Sequence, residues 1–184
     1  FLDMTIHDFD MARFLVDKEV EEVYAKGAAL INQELAKVGD IDTAVITLTY
    51  QDGTMAIIDN SREASYGYDQ RVEVFGSKGM VKADNNLHDT HRLFDTKGSH
   101  GALPLDFFID RYMDAYKKEI VAFTESLTKG FDIPVSGNDG LQSLVIGLAA
   151  IKSIKENRPV KVSDIDYKQE ISMINKEMIS KMMD

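Results

Sequence analysis

Apolar and polar positions change period twice along this chain, and those changes outline its elements. Over residues 5–17 Ile6, Phe9, Ala12 and Val16 recur at helical spacing among charged residues, which predicts an amphipathic helix. Glu19 to Ala25 is β-rich enough for a strand, and residues 27–40 read as a loop with a short helical turn, closed by Gly39-Asp40. The period then becomes two. Thr43 to Tyr50 is dense in β-branched and aromatic residues, Gln51-Asp52-Gly53 is a hairpin turn, and Thr54 to Arg62 returns as a second strand. Gln70 to Phe75 places Val72 and Val74 on one face and Arg71 and Glu73 on the other; Gly76 to Gly79 turns the chain into a short strand, Met80 to Ala83, and His91 to Asp95 adds another. From Phe108 the spacing is helical again, through Tyr112, Tyr116, Ile120, Phe123 and Leu127 to a stop at Gly130. A further helix carries Leu141, Leu144, Leu148, Ile151 and Ile154 and ends near Asn157, ahead of Pro159; Val160 to Val162 reads as an edge strand.

Strands followed by helices predict an α+β fold: a largely antiparallel open sheet of five or six strands, with helices on one face. The alternation over 43–75 leaves the other face semi-polar but rich in Thr, Tyr and Ile, a surface that calls for a second subunit. Residues 1–163 form this domain. Residues 164–184 form a helical tail in which Ile171, Ile174, Met178 and Met182 keep helical spacing. It reads equally as an amphipathic helix packed on a partner and as a frayed end.

Composition narrows the function classes. The 184 residues carry 31 acidic and 21 basic side chains, a formal charge of -10, and the lysines are scattered. A polyanion needs a compensating basic patch, so neither nucleic acid nor an anionic membrane is an expected partner. There is no cysteine, which removes disulfides, thiolate metal sites and thiol nucleophiles. No run approaches a membrane span and no basic-then-apolar leader is present, so a cytoplasmic location is expected. The chain opens at Phe1, directly inside a helix signal, and reads as a domain cut from a longer protein.

Two stretches hold candidate chemistry. The first is the opening decapeptide, where His7 has Asp3 four residues before it and Asp10 three after, within Thr5-Ile-His-Asp8. That spacing resembles a capping box with Thr5 as the N-cap. A carboxylate beside an imidazole at a helix start is a general acid/base arrangement, and it is also the ordinary composition of a capped helix with a structurally satisfied histidine. The second is the polar and aromatic run from Asn60 through Tyr66-Gly67-Tyr68 to Arg71. It is readable either as a lining for a polyhydroxylated ligand or as a turn whose tyrosines pack on a sheet edge. His88, His91, Asp84 and Asp89 match no metal-ligand spacing, so no metal is expected. Gly76-Ser-Lys-Gly79 and Gly98-Ser-His-Gly101 have the wrong spacing for a dinucleotide loop.

Asp3-Met-Thr-Ile-His7-Asp-Phe-Asp10 resembles the Asp-x-(Gly/Thr)-x-His-x-x-Asp motif of the glucose–fructose oxidoreductase / inositol dehydrogenase family, most of all its bacterial myo-inositol 2-dehydrogenases. Tyr66-Gly-Tyr-Asp-Gln-Arg-Val-Glu-Val-Phe-Gly76-x-x-Gly79 resembles the same group, as do Asp139-Gly140, Ala150-x-x-Ser153 and Arg158-Pro159-Val160. These motifs stand in family order over residues 1–162. The resemblance implies the C-terminal, substrate-binding and oligomerisation half of an NAD- or NADP-dependent polyol dehydrogenase. The cofactor would be bound mainly by an N-terminal Rossmann domain that these residues do not include. It implies His7 as general base and Asp3 as its partner or a ligand to substrate hydroxyls. Tyr66, and with less support Asp10, would contact the polyol, and the open sheet would serve a homo-oligomer. A non-catalytic sugar-binding or dimerisation module on the same scaffold is the competing expectation.

Overall fold

The computed structural model describes residues 1–183. Its elements in chain order are α1 (Thr5–Val16), β1 (Val20–Ala28), α2 (Gln33–Val38), β2 (Thr43–Tyr50), β3 (Met55–Ser61), β4 (Val72–Gly76), β5 (Gly79–Ala83), β6 (Arg92–Asp95), β7 (Gly98–Gly101), α3 (Phe108–Lys129), α4 (Gly137–Glu156), β8 (Val160–Lys161) and α5 (Tyr167–Met183). They fall into two compact units, Phe1–Glu63 with Val135–Asp184, and Ala64–Pro134.

The first unit is an antiparallel sheet of order β3-β2-β1-β8. Alternation along β2 puts Ala44, Ile46, Leu48 and Tyr50 into the core beside Val23 and Ala25 of β1 and Val160 of β8. The α4 face carrying Ile146, Leu148, Ala149 and Ala150 closes over them, together with Phe9 of α1. A Cβ on Gly147 would lie 2.7 Å from Leu2 Cδ2, so this glycine lets the segment leading into α1 settle on α4. The α4 start is a capping box, Ser136 N–H donating to Asp139 Oδ2 at 2.7 Å. Asn157 ends the helix in the left-handed conformation, φ 54°.

β8 pairs with β1 only at Glu22 and Val23. Farther along that edge the hydroxyl of Ser153, fully buried on α4, takes the place of a strand: it accepts from Ala25 N–H at 2.9 Å and donates to the Arg158 carbonyl at 2.7 Å. Ser153→Ala strands a buried amide and is expected to cost about 1–3 kcal/mol in urea unfolding.

Asp42, at the entry to β2, is likewise committed to backbone. It accepts N–H bonds from Leu30 at 2.8 Å, Ile31 at 2.9 Å and Asn32 at 2.8 Å, and the Thr43 hydroxyl at 2.9 Å. Burial pushes its carboxyl up, and these donors outweigh burial, holding it at about 2 against an ordinary 3.8. The unfolded chain therefore takes up this proton first, so the contribution is complete above about pH 4 and is lost as pH falls towards about 2. Asp42→Asn is expected to lower stability at neutral pH and to flatten the fall between those limits, read as melting temperature against pH.

The sequence expectation of five or six strands in one sheet is corrected here. β4 pairs only with β5 and β6 only with β7, giving two separate two-stranded hairpins in the second unit. Each closes on a turn with a positive-φ glycine, Gly79 at 144° and Gly98 at 141°, so every strand finds its partner locally. Alternation predicts a strand but not the sheet it joins. β7, made of Gly98-Ser-His-Gly101, has no β-branched residue and escaped the sequence reading; its pairing with β6 creates it. In the same unit α3 runs as the spacing predicts and ends at Gly130, φ 72°. Its apolar positions stay exposed, Ile120 at 65 % and Leu127 at 66 %. In the tail, Ile171 and Ile174 pack against the core, whereas the side chains of Met178 and Met182, and residue Asp184, lie outside the described residues.

Candidate functional site

The first unit places three of the four sequence candidates, His7, Asp3 and Asp10, on or beside α1. The capping-box expectation is corrected: Met4 is the N-cap, with no side-chain cap bond, and Thr5 is the first helical residue. Both box side chains go to a tertiary partner instead. Thr5 Oγ1 donates to Asn60 Oδ1 at 2.7 Å, and Asn60 Nδ2 donates to Asp8 Oδ2 at 3.0 Å. Thr5 and Asp8, three apart, share one helix face, and that face meets β3. His7 lies about 100° back from Asp8 around the axis, on the exposed side. Its imidazole is hydrogen-bonded to no described residue.

Asp3 pairs with Arg62 at the end of β3, 3.0 Å, in an exposed ion pair. Asp10 turns the other way. Its Oδ1 accepts from Ser143 of α4 at 3.1 Å and lies 3.5 Å from Arg13 Nη1. Arg13, 9 % exposed, also grips Glu19 with two bonds, 2.8 Å and 2.6 Å, and reaches Asp139 at 3.4 Å. The bond to Glu19 raises its already high pKa further. Asp10 thus serves the α1–α4 contact, while Asp3 shares the solvent-facing start of the helix with His7.

Tyr66 belongs to the second unit. Its hydroxyl donates to Asp69, which also accepts from Arg71 Nε at 2.7 Å and Nη2 at 2.9 Å and from Asn85 Nδ2 at 2.5 Å. Arg71 leads in holding the Asp69 carboxyl at about 2; burial opposes it, and Tyr66 and Asn85 add to it. Gly67 must be glycine: its φ is 123°, and a Cβ there would sit 2.8 Å from the Pro104 carbonyl. Tyr68 packs edge-on against Tyr112, centroids 6.1 Å apart. Tyr68 thus packs on α3 rather than on a sheet edge, while Tyr66 is 44 % exposed with its hydroxyl bonded to Asp69.

The Asn60–Arg71 cluster stands out in the sequence, but nothing local singles out Asn60, Arg62 or Asp69 within it. Arg62 and Asp69 are partners of Asp3 and Tyr66, and Asn60 joins Thr5 and Asp8 on either side of His7 in the chain; only the fold pairs residues 50 or more apart such as Thr5 and Asn60. No group of three or more His, Asp or Glu among the described residues converges on a point that would hold a metal ion.

Comparison with known proteins decides what this arrangement belongs to. Residues 1–82 match the GFO/IDH/MocA C-terminal domain. The chain is 50% identical over 165 residues to myo-inositol 2-dehydrogenase of Thermotoga maritima, covering 90% of this chain and 49% of that protein. This chain belongs to the GFO/IDH/MocA C-terminal domain family. Among solved structures, a myo-inositol dehydrogenase from Corynebacterium glutamicum superposes with a TM-score of 0.83 at 41% identity, over 86% of this chain and 48% of that one. A scyllo-inositol dehydrogenase from Lactobacillus casei, solved with NAD(H) and scyllo-inositol, gives a TM-score of 0.80 at 30% identity, over 88% of this chain and 47% of that one. The chain spans about half the length of the curated relatives it matches. As a GFO/IDH/MocA C-terminal domain it has the family's mixed fold of antiparallel strands and helices.

Proposed function

We propose that this chain is the substrate half of an NAD(P)-dependent dehydrogenase that oxidises a CH–OH carbon of a polyol, with myo-inositol as the substrate. The observation that carries the reading is His7: an exposed imidazole on a helix start tied to the sheet, bonded to no described residue, within the Asp3–Asp10 motif. Its free ring nitrogen accepts the hydroxyl proton while the C–H bond of the same carbon breaks and the carbonyl forms. The nicotinamide accepts the hydride. A base placed in this way contributes about 10²–10⁴-fold. Asp3 on the same rim is paired with Arg62 and not with the imidazole, which leaves it the role of accepting a substrate hydroxyl. Tyr66, whose hydroxyl donates to Asp69, is proposed from its motif as a contact to the polyol.

Two glycine turns of this chain close hairpins, Gly76 against Gly79 and Gly98 against Asp95. No Gly-x-Gly-x-x-Gly run opens a helix, as a dinucleotide cradle requires. NAD or NADP is therefore held mainly by a Rossmann domain beyond these residues, and the chain alone transfers no hydride. The relatives support this division, since they are about twice as long and one of them was solved with NAD(H) and an inositol.

The proposal extends to assembly. The outward sheet face carries Val45, 51 % exposed, Met55, 71 %, and Ile57, 74 %, beside Tyr24, Thr47 and Thr49. A face this apolar serves a homo-oligomer. Among the described residues no helix is long and apolar enough to cross a membrane; the proposed location is the cytoplasm. The test is NADH or NADPH formation by the whole enzyme with myo-inositol and other polyols. Reduction dependent on polyol supports the reading, and its absence with every polyol overturns it.

A further inference from the structure

We infer that Asn60 is a positioning residue for the reaction: its carboxamide sets the rotation and height of the helix turn that carries His7. The inference rests on the reading of His7 as the base. The helix start has no side-chain cap; backbone bonds from Ile6 to the Phe1 carbonyl at 2.9 Å and from His7 to the Met4 carbonyl at 3.2 Å close its first turn but do not fix that turn against the sheet. Asn60 holds it at two points, through the Thr5 hydroxyl at 2.7 Å and the Asp8 carboxylate at 3.0 Å. An ionised carboxylate only accepts hydrogen bonds, so the amide NH₂ must face Asp8, and the carbonyl then faces Thr5, which must donate. The orientation is thereby unique. Asn60 itself is anchored in β3 opposite Ala44 of the central strand β2. Two bonds to one rigid strand, at helix positions 5 and 8, remove both rolling and sliding of the turn. Residue 7 lies between those positions and points away from the strand, so its imidazole inherits the placement. A base displaced by about 1 Å loses on the order of 10²-fold in rate.

The polarity of the contact supplies the test. In the whole NAD(P)-dependent enzyme, Asn60→Asp keeps size and the Thr5 contact but sets a carboxylate against Asp8. The double variant Asn60→Asp/Asp8→Asn restores the bond with donor and acceptor exchanged. The expected result is a kcat loss of about tenfold to a hundredfold for the single variant, with KM for NAD within about twofold, and recovery of most of that loss in the double variant. Thr5→Val, which removes the other contact, lowers kcat in the same direction. Melting temperatures are recorded for all three, and kcat is taken per folded enzyme. The inference is overturned if Asn60→Asp keeps kcat within about twofold of the parent, or if the double variant, folded, recovers nothing. Should Asn60→Asp not fold, Thr5→Val and the double variant decide the matter by the same limits. His7→Ala is run alongside. If it keeps full activity, the base assignment itself fails; if it loses activity while Asn60→Asp does not, only the positioning role fails.

Discussion

Replacing His7 by alanine in the whole protein, assayed as the proposed NAD(P)-dependent dehydrogenase, is expected to lower kcat by about 10²–10⁴-fold while leaving KM for the cofactor nearly unchanged. The structure makes this a clean substitution. The side chain is exposed and touches no described hydrogen-bond partner, so its removal opens no cavity and strands no buried group. Folding should be intact, and the loss should appear in the chemical step. A melting temperature equal to the parent's, together with a slow single-turnover rate of hydride transfer, is the expected pair of readings. An unchanged kcat would sink the base assignment, and with it the proposed role of the Asp3–Asp10 motif.

Phe9→Ala has the opposite profile. Two residues from His7 on the same helix, Phe9 is 0 % exposed, packs with Phe1 at 6.4 Å between ring centroids, and lies in the core that joins α1 to α4. Truncation removes the ring's transfer free energy and leaves a void that the rigid sheet and α4 cannot fill. The expected cost is about 3–5 kcal/mol of stability, measured by chemical denaturation. The pair of substitutions separates the two faces of α1, since one carries the proposed chemistry and the other carries the fold. A loss under about 1 kcal/mol for Phe9→Ala would mean that α1 is held to α4 chiefly by Arg13 and its carboxylates.

Apolar spacing made most elements legible. The helices at 5–16, 108–129 and 137–156 and the strands at 43–50 and 55–61 stand where the sequence predicts them, while the strand expected over 19–25 runs on to Ala28, into the stretch read as loop. Local chemistry also located the helix ends at Gly130 and Asn157, where a left-handed residue is required. It did not locate β7, whose residues have no strand preference. Nor did it tell that the stretch 72–101 closes into two hairpins, because which strands share a sheet depends on partners rather than on alternation.

The site divides along the same line. His7, Asp3, Asp10 and Tyr66 were all named from sequence, because motif spacing and residue type are local properties that survive without a fold. By itself the sequence thus determined most of the elements, the family resemblance and a short set of candidate groups. What those groups do to one another was decided by tertiary structure. Thr5 and Asp8 look like a capping pair until β3 brings Asn60 between them. Asp10 looks like a neighbour of His7 until α4 brings Ser143 and the Arg13 cluster to it. A hydrogen bond needs its partners within about 3 Å. Residues 52 or 133 positions apart in the chain come that close only when the sheet and helices have already packed.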